Sequence, residues 1–351
     1  MDKTHPHKRP TIHDVARLAG LSVATVSRYM NGTATVSDEK ASRISAAIHE
    51  LDYLPRSAAQ DLARNATKTI GLLLPTISGS FFAPLLRGVE RGATEEGFSL
   101  LVHSTQIQSK GLIKKGLAEH NTDGLLVFAA SLDTTELTRL HFIDFPVVLL
   151  HQSSPAGLEI PYVTVENRKG VRALMDHLIE VHNLRRIAHL RGPAGHEDTY
   201  WREQGYQEAL QVHNIPFDPA LVEIGGFNTE LSRVAMRNIL EKNLPLDAVF
   251  AGDDESASGA MMELRLSGFR VPEDIAVVGF DDLELAVHLT PALTTVHSPI
   301  EQVAYQAVQQ LVRLIRTGEA DAATLLPTHI VIRQSCGCVL DQKQLYLNQK
   351  V

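Results

Sequence analysis

From residue 69 onward the sequence alternates between short, almost continuous apolar runs and amphipathic stretches of helical length. Runs that are apolar along both faces and separated by helices are typical of parallel strands covered on both sides. The alternation therefore predicts doubly wound α/β sheets. The predicted strands lie at residues 70–74, 100–103, 125–128, 147–150, 162–165, 187–190, 222–224, 248–251 and 275–280.

This number of strands suits two similar lobes. We predict a two-lobed domain at 69–340, with lobes at about 69–161 and 162–290 and crossing segments at 291–340. Within the crossing segments, the pattern predicts a helix at 298–316 and a last strand at 329–333. The remaining tail, 341–351, is too short for a heptad segment that would join further copies of the chain.

The stretch 11–28 predicts two short helices joined by a tight turn. Thr11 and Asp14 have the spacing of a capping box, Gly20 suits the left-handed end of a helix, and Ser22 can cap the next one. The predicted inner face holds Val15, Ala16, Ala19, Val26 and Met30. The predicted outer face of the second helix holds Val23, Ala24, Thr25, Ser27 and Arg28. Its hydroxyls, small apolar groups and single guanidinium suit a DNA major groove.

A third helix should begin at Ser37 and close a small core with Ile44, Ile48 and Leu51. Residues 1–52 are therefore predicted to form a helix-turn-helix headpiece. Residues 53–68 are predicted to form a linker that is alanine-rich and helix-competent but too short to be a stable helix by itself in water. We expect this linker to order only when something packs on it.

Two motifs resemble the lactose-repressor (LacI/GalR) family of bacterial regulators. Thr11-Ile12-x-Asp14-Val15-Ala16-x-x-Ala19-Gly20-x-Ser22-x-x-Thr25-Val26-Ser27-Arg28-x-x-Asn31 resembles that family's DNA-reading headpiece, and Tyr53-x-Pro55-x-x-x-Ala59-x-x-Leu62 resembles its hinge helix. The resemblance implies a headpiece and hinge helix followed by two α/β lobes of periplasmic-binding-protein type. The predicted DNA-binding residues are Thr11, Ser22, Val23, Ala24, Thr25, Ser27, Arg28, Asn31, Tyr53, Ala59 and Leu62.

The charge distribution agrees with a DNA-binding headpiece. The whole chain carries a formal net charge of −8, but residues 1–68 contain 10 Lys+Arg and 7 Asp+Glu. A basic head on an acidic body concentrates the attraction for phosphates in the head. The absence of a secretory signal or of a run of about 18 apolar residues predicts a cytoplasmic protein without a membrane segment.

The two cysteines, Cys336 and Cys338, lie close together near the end of the sequence. A secreted disulfide framework would spread cysteines along the chain, and zinc would need further ligands nearby in sequence. We therefore predict a reduced pair, with no metal and no cofactor.

Candidate ligand-binding residues follow the predicted strands, because open α/β sheets bind ligands at the carboxyl ends of their strands. The resemblance implies effector contacts from Arg202, Asp253 and Asp281 and ring stacking from Phe81 and Phe227. His151-Gln152 stands where relatives commonly carry an Asp-Arg pair, so the effector cannot be copied from a relative. The full predicted set is Phe81, His151, His196, Arg202, Phe227, Asp253 and Asp281.

Other interpretations of the same side chains stay open at this point. Asp254 or Asp281 could merely cap a helix, and Trp201 could be either core or ligand wall. Phe82 and Phe280 are predicted to be core residues.

Together these features predict a homodimeric repressor of a carbohydrate-utilisation operon. It would bind pseudo-palindromic double-stranded operator DNA and respond to a small molecule, a sugar, held between the lobes. The alternatives are a sugar-binding transport-type protein and a regulator that responds to a nucleobase or a phosphorylated metabolite. An enzyme is not expected, because the sequence has no nucleophile elbow, phosphate loop or metal-ligand spacing.

Overall fold

The computed structural model describes residues 10–30, 36–51, 53, 67–105 and 121–339. The chain divides into two compact units, Met1–Thr67 and Lys68–Val351, and each is described by itself. Among the described helices, none is both long enough and apolar enough to cross a membrane.

The first unit contains three helices, α1 (Ile12–Ala19), α2 (Val23–Met30) and α3 (Asp38–Glu50). The predicted capping box starts α1, since the Thr11 backbone N–H donates to the Asp14 carboxylate at 2.9 Å. Gly20 ends α1 with φ of 65°, the left-handed conformation that glycine adopts without steric cost. The small core consists of Val15, Ala16, Ala19, Val26, Ile44 and Ala47.

One prediction for this unit needs correction. Val23, predicted on the outer face of α2, is half-buried and packs against the small core. Met30 packs against the small core, as predicted for an inner residue. Tyr53 also packs there, and its contact with DNA stays a prediction. Val23 is the first residue of α2, and its side chain lies at the edge of the core instead of on the outer face. Asn31, Ala59 and Leu62 lie outside the described residues.

The second unit contains two parallel sheets and a small antiparallel pair. The first sheet has the order β11-β5-β4-β3-β1-β2 and the second the order β7-β6-β8-β9. The strands of the first sheet are β1 (Thr69–Leu74), β2 (Ser99–Ser104), β3 (Gly124–Phe128), β4 (Val147–Leu150), β5 (Tyr162–Val165) and β11 (Ala323–Leu326). Those of the second are β6 (Ile187–Arg191), β7 (Val222–Ile224), β8 (Ala248–Ala251) and β9 (Ala276–Val278), while β10 (Thr295–His297) pairs with β12 (His329–Val331).

Helices cover both faces of each sheet, as the apolar strands require. They are α4 (Phe82–Glu96), α5 (Thr134–Phe142), α6 (Asn167–Asp176), α7 (Glu197–Val212), α8 (Thr229–Glu241), α9 (Asp254–Leu266), α10 (Glu284–His288) and α11 (Ile300–Thr317). A π-helical turn, His177–Val181, continues α6. The predicted fold class, two doubly wound α/β lobes behind a helix-turn-helix headpiece, is confirmed.

The predicted division between the lobes at residue 162 is wrong. Strand β5 pairs with β4 and β11 in the first sheet, so the first lobe runs to residue 165 and regains β11 much later in the chain. The last strand, predicted at 329–333, joins neither large sheet but pairs with β10. An apolar run indicates that a strand is buried, but it does not indicate which partner the strand pairs with.

Helix α11 follows the second lobe in sequence and yet packs in the core of the first, with Val303, Ala307 and Leu311 buried there. It lies against α4, where Gly88 allows a close approach of the two helices. A Cβ at Gly88 would collide with the backbone oxygen of Glu301 and lie 2.8 Å from the Cβ of Ala304.

We predict that Gly88→Ala destabilises the second unit by about 1–3 kcal/mol, since the backbone of α11 would have to move. Urea unfolding followed by circular dichroism measures this change. Glu90→Ala, at an exposed position on the same helix, is the matched control and should change stability by less than about 0.5 kcal/mol. Equal stabilities of the two variants would contradict this account of the helix pair.

Candidate functional site

The start of α2 presents the surface predicted to contact DNA. The Ser22 hydroxyl accepts from the backbone N–H of Thr25 at 3.2 Å and lies 2.9 Å from the Thr25 hydroxyl, so it caps the helix. Ala24 and Arg28 are exposed, and Thr25 and Ser27 are half-buried. Thr11, at the start of α1, is exposed and donates its hydroxyl to Asp14 at 2.7 Å.

The second unit contains a cavity of about 620 Å³ between its two lobes, at the carboxyl ends of both large sheets. This volume suits a small ligand. The first lobe contributes Pro75, Thr76, Ser78, Gly79, Phe81, Phe82, Phe128, Ala129 and Ala130. The second contributes Pro193, Ala194, Gly195, His196, Asp198, Arg202, Gly226, Phe227, Asn228, Asp253, Glu255 and Asp281.

Two larger cavities, of about 970 and 780 Å³, lie elsewhere on this unit. The smaller one between the lobes is the candidate ligand site, because residues that follow β1 and β3 of the first sheet and β6, β7, β8 and β9 of the second all line it. Three of its lining residues, Ala130, Phe227 and Asp281, have φ values of 62°, 54° and 103°, and His151, directly behind its wall, has φ of 55°. Such positive φ values are costly for residues other than glycine and cluster at functional sites.

Arg202 is the centre of the polar side of the cavity. Its buried guanidinium donates to the side-chain oxygen of Asn167 at 2.9 Å, to the carbonyl of Gly252 at 2.6 Å and to Asp281 at 2.9 Å. It also stacks over the Phe280 ring at 3.8 Å from the centroid. These contacts join the ends of β8 and β9 to the start of α6. Phe280 is a core residue, as predicted.

Asp253 caps α9 by accepting from the backbone N–H of Ser256 at 2.8 Å, and it also faces the cavity. Burial, and next the nearby Asp281 carboxylate, raise the pKa of Asp253 to about 7. Burial likewise raises the pKa of Asp281, although Arg202 opposes that shift. Asp253, and not Asp254, therefore caps α9, and among the residues that the structure describes no side chain caps α10, the helix that follows Asp281.

Aromatic rings form the apolar side of the cavity. Phe81, Phe82 and Phe128 lie in mutual edge contact with centroids 5.5–5.8 Å apart, and Phe227 faces them from the second lobe. Phe82, predicted to be core, lines the cavity while also packing on the core. Phe128 was missed because it ends an apolar strand, where a phenylalanine looks like any other core residue.

His151 lies behind the cavity wall, so its predicted place on the cavity surface is wrong. It is fully buried at the end of β4, and its Nδ1 lies 3.1 Å from an Asp198 oxygen. Although burial would raise the pKa of Asp198, the contacts with His151 and Arg202 hold it well below its usual range. The ring of His151 lies 5.3 Å from those of Phe81 and Phe128, so it supports the aromatic side from behind.

His196 and Trp201 are both on or next to α7, but only His196 lines the cavity. Burial lowers the pKa of His196, so its imidazole is neutral at pH 7. Within the described part of the chain, its Nδ1 is buried and has no hydrogen-bond partner. Trp201, for which core and ligand wall were both open, is partly exposed and donates its Nε1–H to Glu197 at 3.0 Å.

Hydrogen bonds across the cleft hold the two lobes together. Glu255 accepts from the backbone N–H of Ser80 at 2.8 Å and from its hydroxyl at 2.5 Å. Glu197 accepts in the same way from Ser153, at 2.6 and 2.9 Å. Each carboxylate belongs to the second lobe and each serine to the first, so both pairs would separate if the cleft opened.

Two groups of described side chains have the composition of metal ligands. One is His177, His182, Cys336 and Cys338, and the other is Asp176, Glu180 and His213. None of these side chains lines the cavity between the lobes. The expectation that the chain holds no metal remains a prediction.

We predict that Arg202→Met costs about 3–5 kcal/mol of stability, because it leaves the buried Asp281 carboxylate without its cation. Asp281 can escape this penalty by binding a proton, so the loss should be larger at pH 8 than at pH 5. The double variant Arg202→Met/Asp281→Asn should lose less than the sum of the two single variants in urea unfolding. Strict additivity would mean that the two side chains do not depend on each other.

Comparison with known proteins agrees with both units. Residues 11–56 match the family described as "Bacterial regulatory proteins, lacI family", and residues 175–336 match a "Periplasmic binding protein-like domain". The Ribose operon repressor of Halalkalibacterium halodurans is 33% identical over 328 residues, which cover 93% of this chain and 96% of that protein.

Solved structures extend the similarity over both units. The transcriptional regulator CelR in complex with cellobiose is 33% identical, with a TM-score of 0.71, and the match covers 93% of this chain and 100% of that one. The Lac repressor dimer bound to operator and the anti-inducer ONPF is 26% identical, with a TM-score of 0.79 and coverage of 94% and 99%. This chain therefore belongs to the lacI family of bacterial regulatory proteins.

Proposed function

We propose that this protein is a homodimeric repressor of a carbohydrate-utilisation operon that binds operator DNA and is controlled by a neutral sugar. As a member of a family of transcription regulators, it is not an enzyme. The observation that carries the proposal of a sugar is the cavity between the lobes, which has phenylalanine rings on one side and a hydrogen-bonding network of carboxylates and a guanidinium on the other.

The DNA-binding half of the proposal depends on α1 and α2. The exposed side of α2 carries Ala24 and Arg28 next to the hydroxyl of Ser22. The short side chains of Ala24 and Ser22 allow the helix to approach base edges closely, where Arg28 can donate hydrogen bonds. The Lac repressor, similar over nearly the whole chain, is a dimer on its operator. Two copies of one headpiece read a pseudo-palindromic site. Because its DNA target is chromosomal, we propose that the protein acts in the cytoplasm.

A neutral sugar fits the chemistry of the cavity. Carboxylates and a guanidinium can hydrogen-bond paired hydroxyl groups, while phenylalanine faces cover the apolar side of a sugar ring. Asp198 is ionised and Arg202 is already committed to Asp281, so little positive charge is left over for a phosphate group. Relatives are named for ribose and cellobiose, which supports a sugar without specifying which one.

A nucleobase is the remaining alternative for the effector. A planar base is held best between parallel ring faces. The planes of Phe81, Phe82 and Phe128 are inclined by 64–81° to one another, so these three rings form a corner and not a parallel pair. The shape therefore favours a sugar over a base.

The lobes provide the means of control. A ligand that contacts both lobes stabilises the closed arrangement, in which Ser80 binds Glu255 and Ser153 binds Glu197. The effector can change DNA affinity only by as much as its affinity differs between the DNA-bound and free forms, and operator DNA changes effector affinity by the same factor. The hinge residues Ala59 and Leu62 are proposed to report that difference at the operator's centre.

We predict that Arg28→Ala weakens binding to operator DNA by about 1–3 kcal/mol and barely changes binding to random DNA, because an arginine in the major groove discriminates guanine. Gel-shift titrations of both DNAs, taken from the promoter of the protein's own operon and from a scrambled sequence, measure the two losses. Arg17→Ala, which replaces an exposed side chain of α1, is the comparison. It should weaken binding to both DNAs equally if Arg17 contacts phosphate. Equal losses for Arg28→Ala would contradict base reading.

The effector is tested by calorimetry against a panel of pentoses, hexoses and disaccharides. Free nucleobases and sugar phosphates are titrated in the same way to represent the two alternative classes of effector. We expect a neutral sugar to bind. If only a nucleobase or a phosphorylated compound binds, the assignment of a sugar as effector is wrong, but the assignment of the protein as a transcription regulator is unaffected.

For the sugar that binds, we predict that affinity rises about tenfold from pH 6 to pH 8, because a hydroxyl donates best to an ionised Asp253, whose pKa is about 7. The charges facing Asp253 are Asp281 and Arg202. Asp253→Asn keeps the helix cap, since asparagine caps as well as aspartate, but should bind weakly with a flat pH profile.

Asp133→Asn is the matched control for that experiment, because Asp133 caps α5 in the same way and lies outside the cavity. It should keep the pH profile of the unmodified protein. A pH dependence that persists in Asp253→Asn would assign it to another group.

A further inference from the structure

The two cysteines near the end of the sequence lie beside two histidines from a distant part of the chain. The ligand atoms of His177, His182, Cys336 and Cys338 all lie within 4.8 Å of one another. The sequence predicts no metal here, because no further ligand stands near the two cysteines along the chain. The fold supplies the ligands instead from the end of α6.

A local distortion brings the two histidines together. In a regular α-helix, residues five apart point about 140° away from each other. The π-helical turn His177–Val181 closes with hydrogen bonds between residues five apart, which brings His177 and His182 toward the same side. Their rings lie 5.0 Å apart between centroids. Single π-helical turns are rare and frequently occur at functional sites.

The turn between the cysteines is also specialised. Gly337 has φ of 99°, a conformation that favours glycine, and the position of its absent Cβ is 3.6 Å from two atoms of the His182 ring. The cysteines on either side of Gly337 therefore approach the histidines from one tight turn.

The distances suit a shared cation better than hydrogen bonds alone. The Sγ of Cys338 lies 3.5 Å from Nε2 of His177 and 3.3 Å from Nε2 of His182. A thiol has one hydrogen and can donate to only one of these nitrogens. Around a tetrahedral zinc ion, sulfur and nitrogen ligands lie about 3.3–3.8 Å from each other, so the group needs to contract by about 1 Å at most.

We propose that His177, His182, Cys336 and Cys338 bind one Zn²⁺ ion in a tetrahedral site. Two thiolates with two imidazoles are the ligand set of structural zinc sites, and four protein ligands leave no coordination position for a substrate. The site joins the end of the last described segment to the end of α6, two stretches that are far apart in sequence. Its role is to stabilise the second lobe.

The site is independent of the proposed ligand cavity. Helix α6 begins at Asn167, which contacts Arg202, and its ten residues put His177 about 15 Å farther along. Loss of the metal should therefore lower stability and leave effector binding unchanged.

The test uses the untagged full chain, because a histidine tag would itself bind zinc. The protein is stripped with EDTA under reducing conditions, mixed with excess ZnSO₄, and dialysed, and its metal content is measured by mass spectrometry. We expect about one zinc per chain and a melting temperature several degrees above that of the stripped protein. Cobalt in place of zinc should give the absorption of a tetrahedral, thiolate-bound ion.

Two variants, Cys338→Ser and His182→Asn, should lose the zinc, the cobalt spectrum and the increase in melting temperature. Both residues are only half-buried, and circular dichroism of the stripped proteins establishes whether each variant folds. His288→Asn, an exposed histidine on α10, is the matched control and should retain all three signals.

His213→Asn tests the neighbouring group of Asp176, Glu180 and His213 as the rival site. Zinc that is lost in His213→Asn but retained in Cys338→Ser would overturn the proposal. So would a reduced, folded protein that retains no zinc after dialysis.

Discussion

The guanidinium of Arg202 is the interaction on which the ligand cavity depends. It is buried where β8, β9 and α6 meet, and each of those elements offers it one oxygen: Gly252, Asp281 and Asn167. A buried guanidinium is tolerated only when its hydrogen bonds are satisfied, so these oxygens must remain in position. The same contacts hold Asp281 at a positive φ, a conformation that this aspartate would not adopt readily by itself. The polar side of the cavity is therefore preorganised by the fold of the second lobe alone.

The first lobe supplies different chemistry, and the chain order explains how the two are brought together. The chain crosses from one lobe to the other three times: after β5, after β10 and after β11. Three connections allow the lobes to rotate but keep the carboxyl ends of both sheets facing one cleft. Phe81, Phe82 and Phe128 then lie opposite the Arg202 network. The first lobe supplies three of the four phenylalanine rings and the second lobe supplies the carboxylates and the guanidinium, so a ligand that needs both surfaces must bind where the lobes meet.

The sequence predicted the local structure of the chain better than its long-range pairing. The caps at Thr11 and Ser22 and the strands of both sheets follow from short patterns, and these are confirmed. The pairing of β5 with β11 could not be predicted, because partners far apart in sequence leave no local pattern. For the same reason the sequence placed His151 on the cavity surface, whereas the structure buries it beside Asp198 of the other lobe. The cysteine and histidine group was missed because its members come from two distant segments.

Helix α6 links the two ends of the second lobe. Its first residue, Asn167, accepts from Arg202 and donates to Asp198 at 2.8 Å, while the π-helical turn at its other end carries the histidines of the proposed zinc site. Buried Val171 and Leu174 hold the helix against the sheet between these points. A metal at one end would therefore limit fraying of the helix but would not alter the contacts that close the cleft, because those are made by Glu197 and Glu255 on α7 and α9. Stability and ligand response thus depend on different side chains of the same lobe, and each can change without loss of the other.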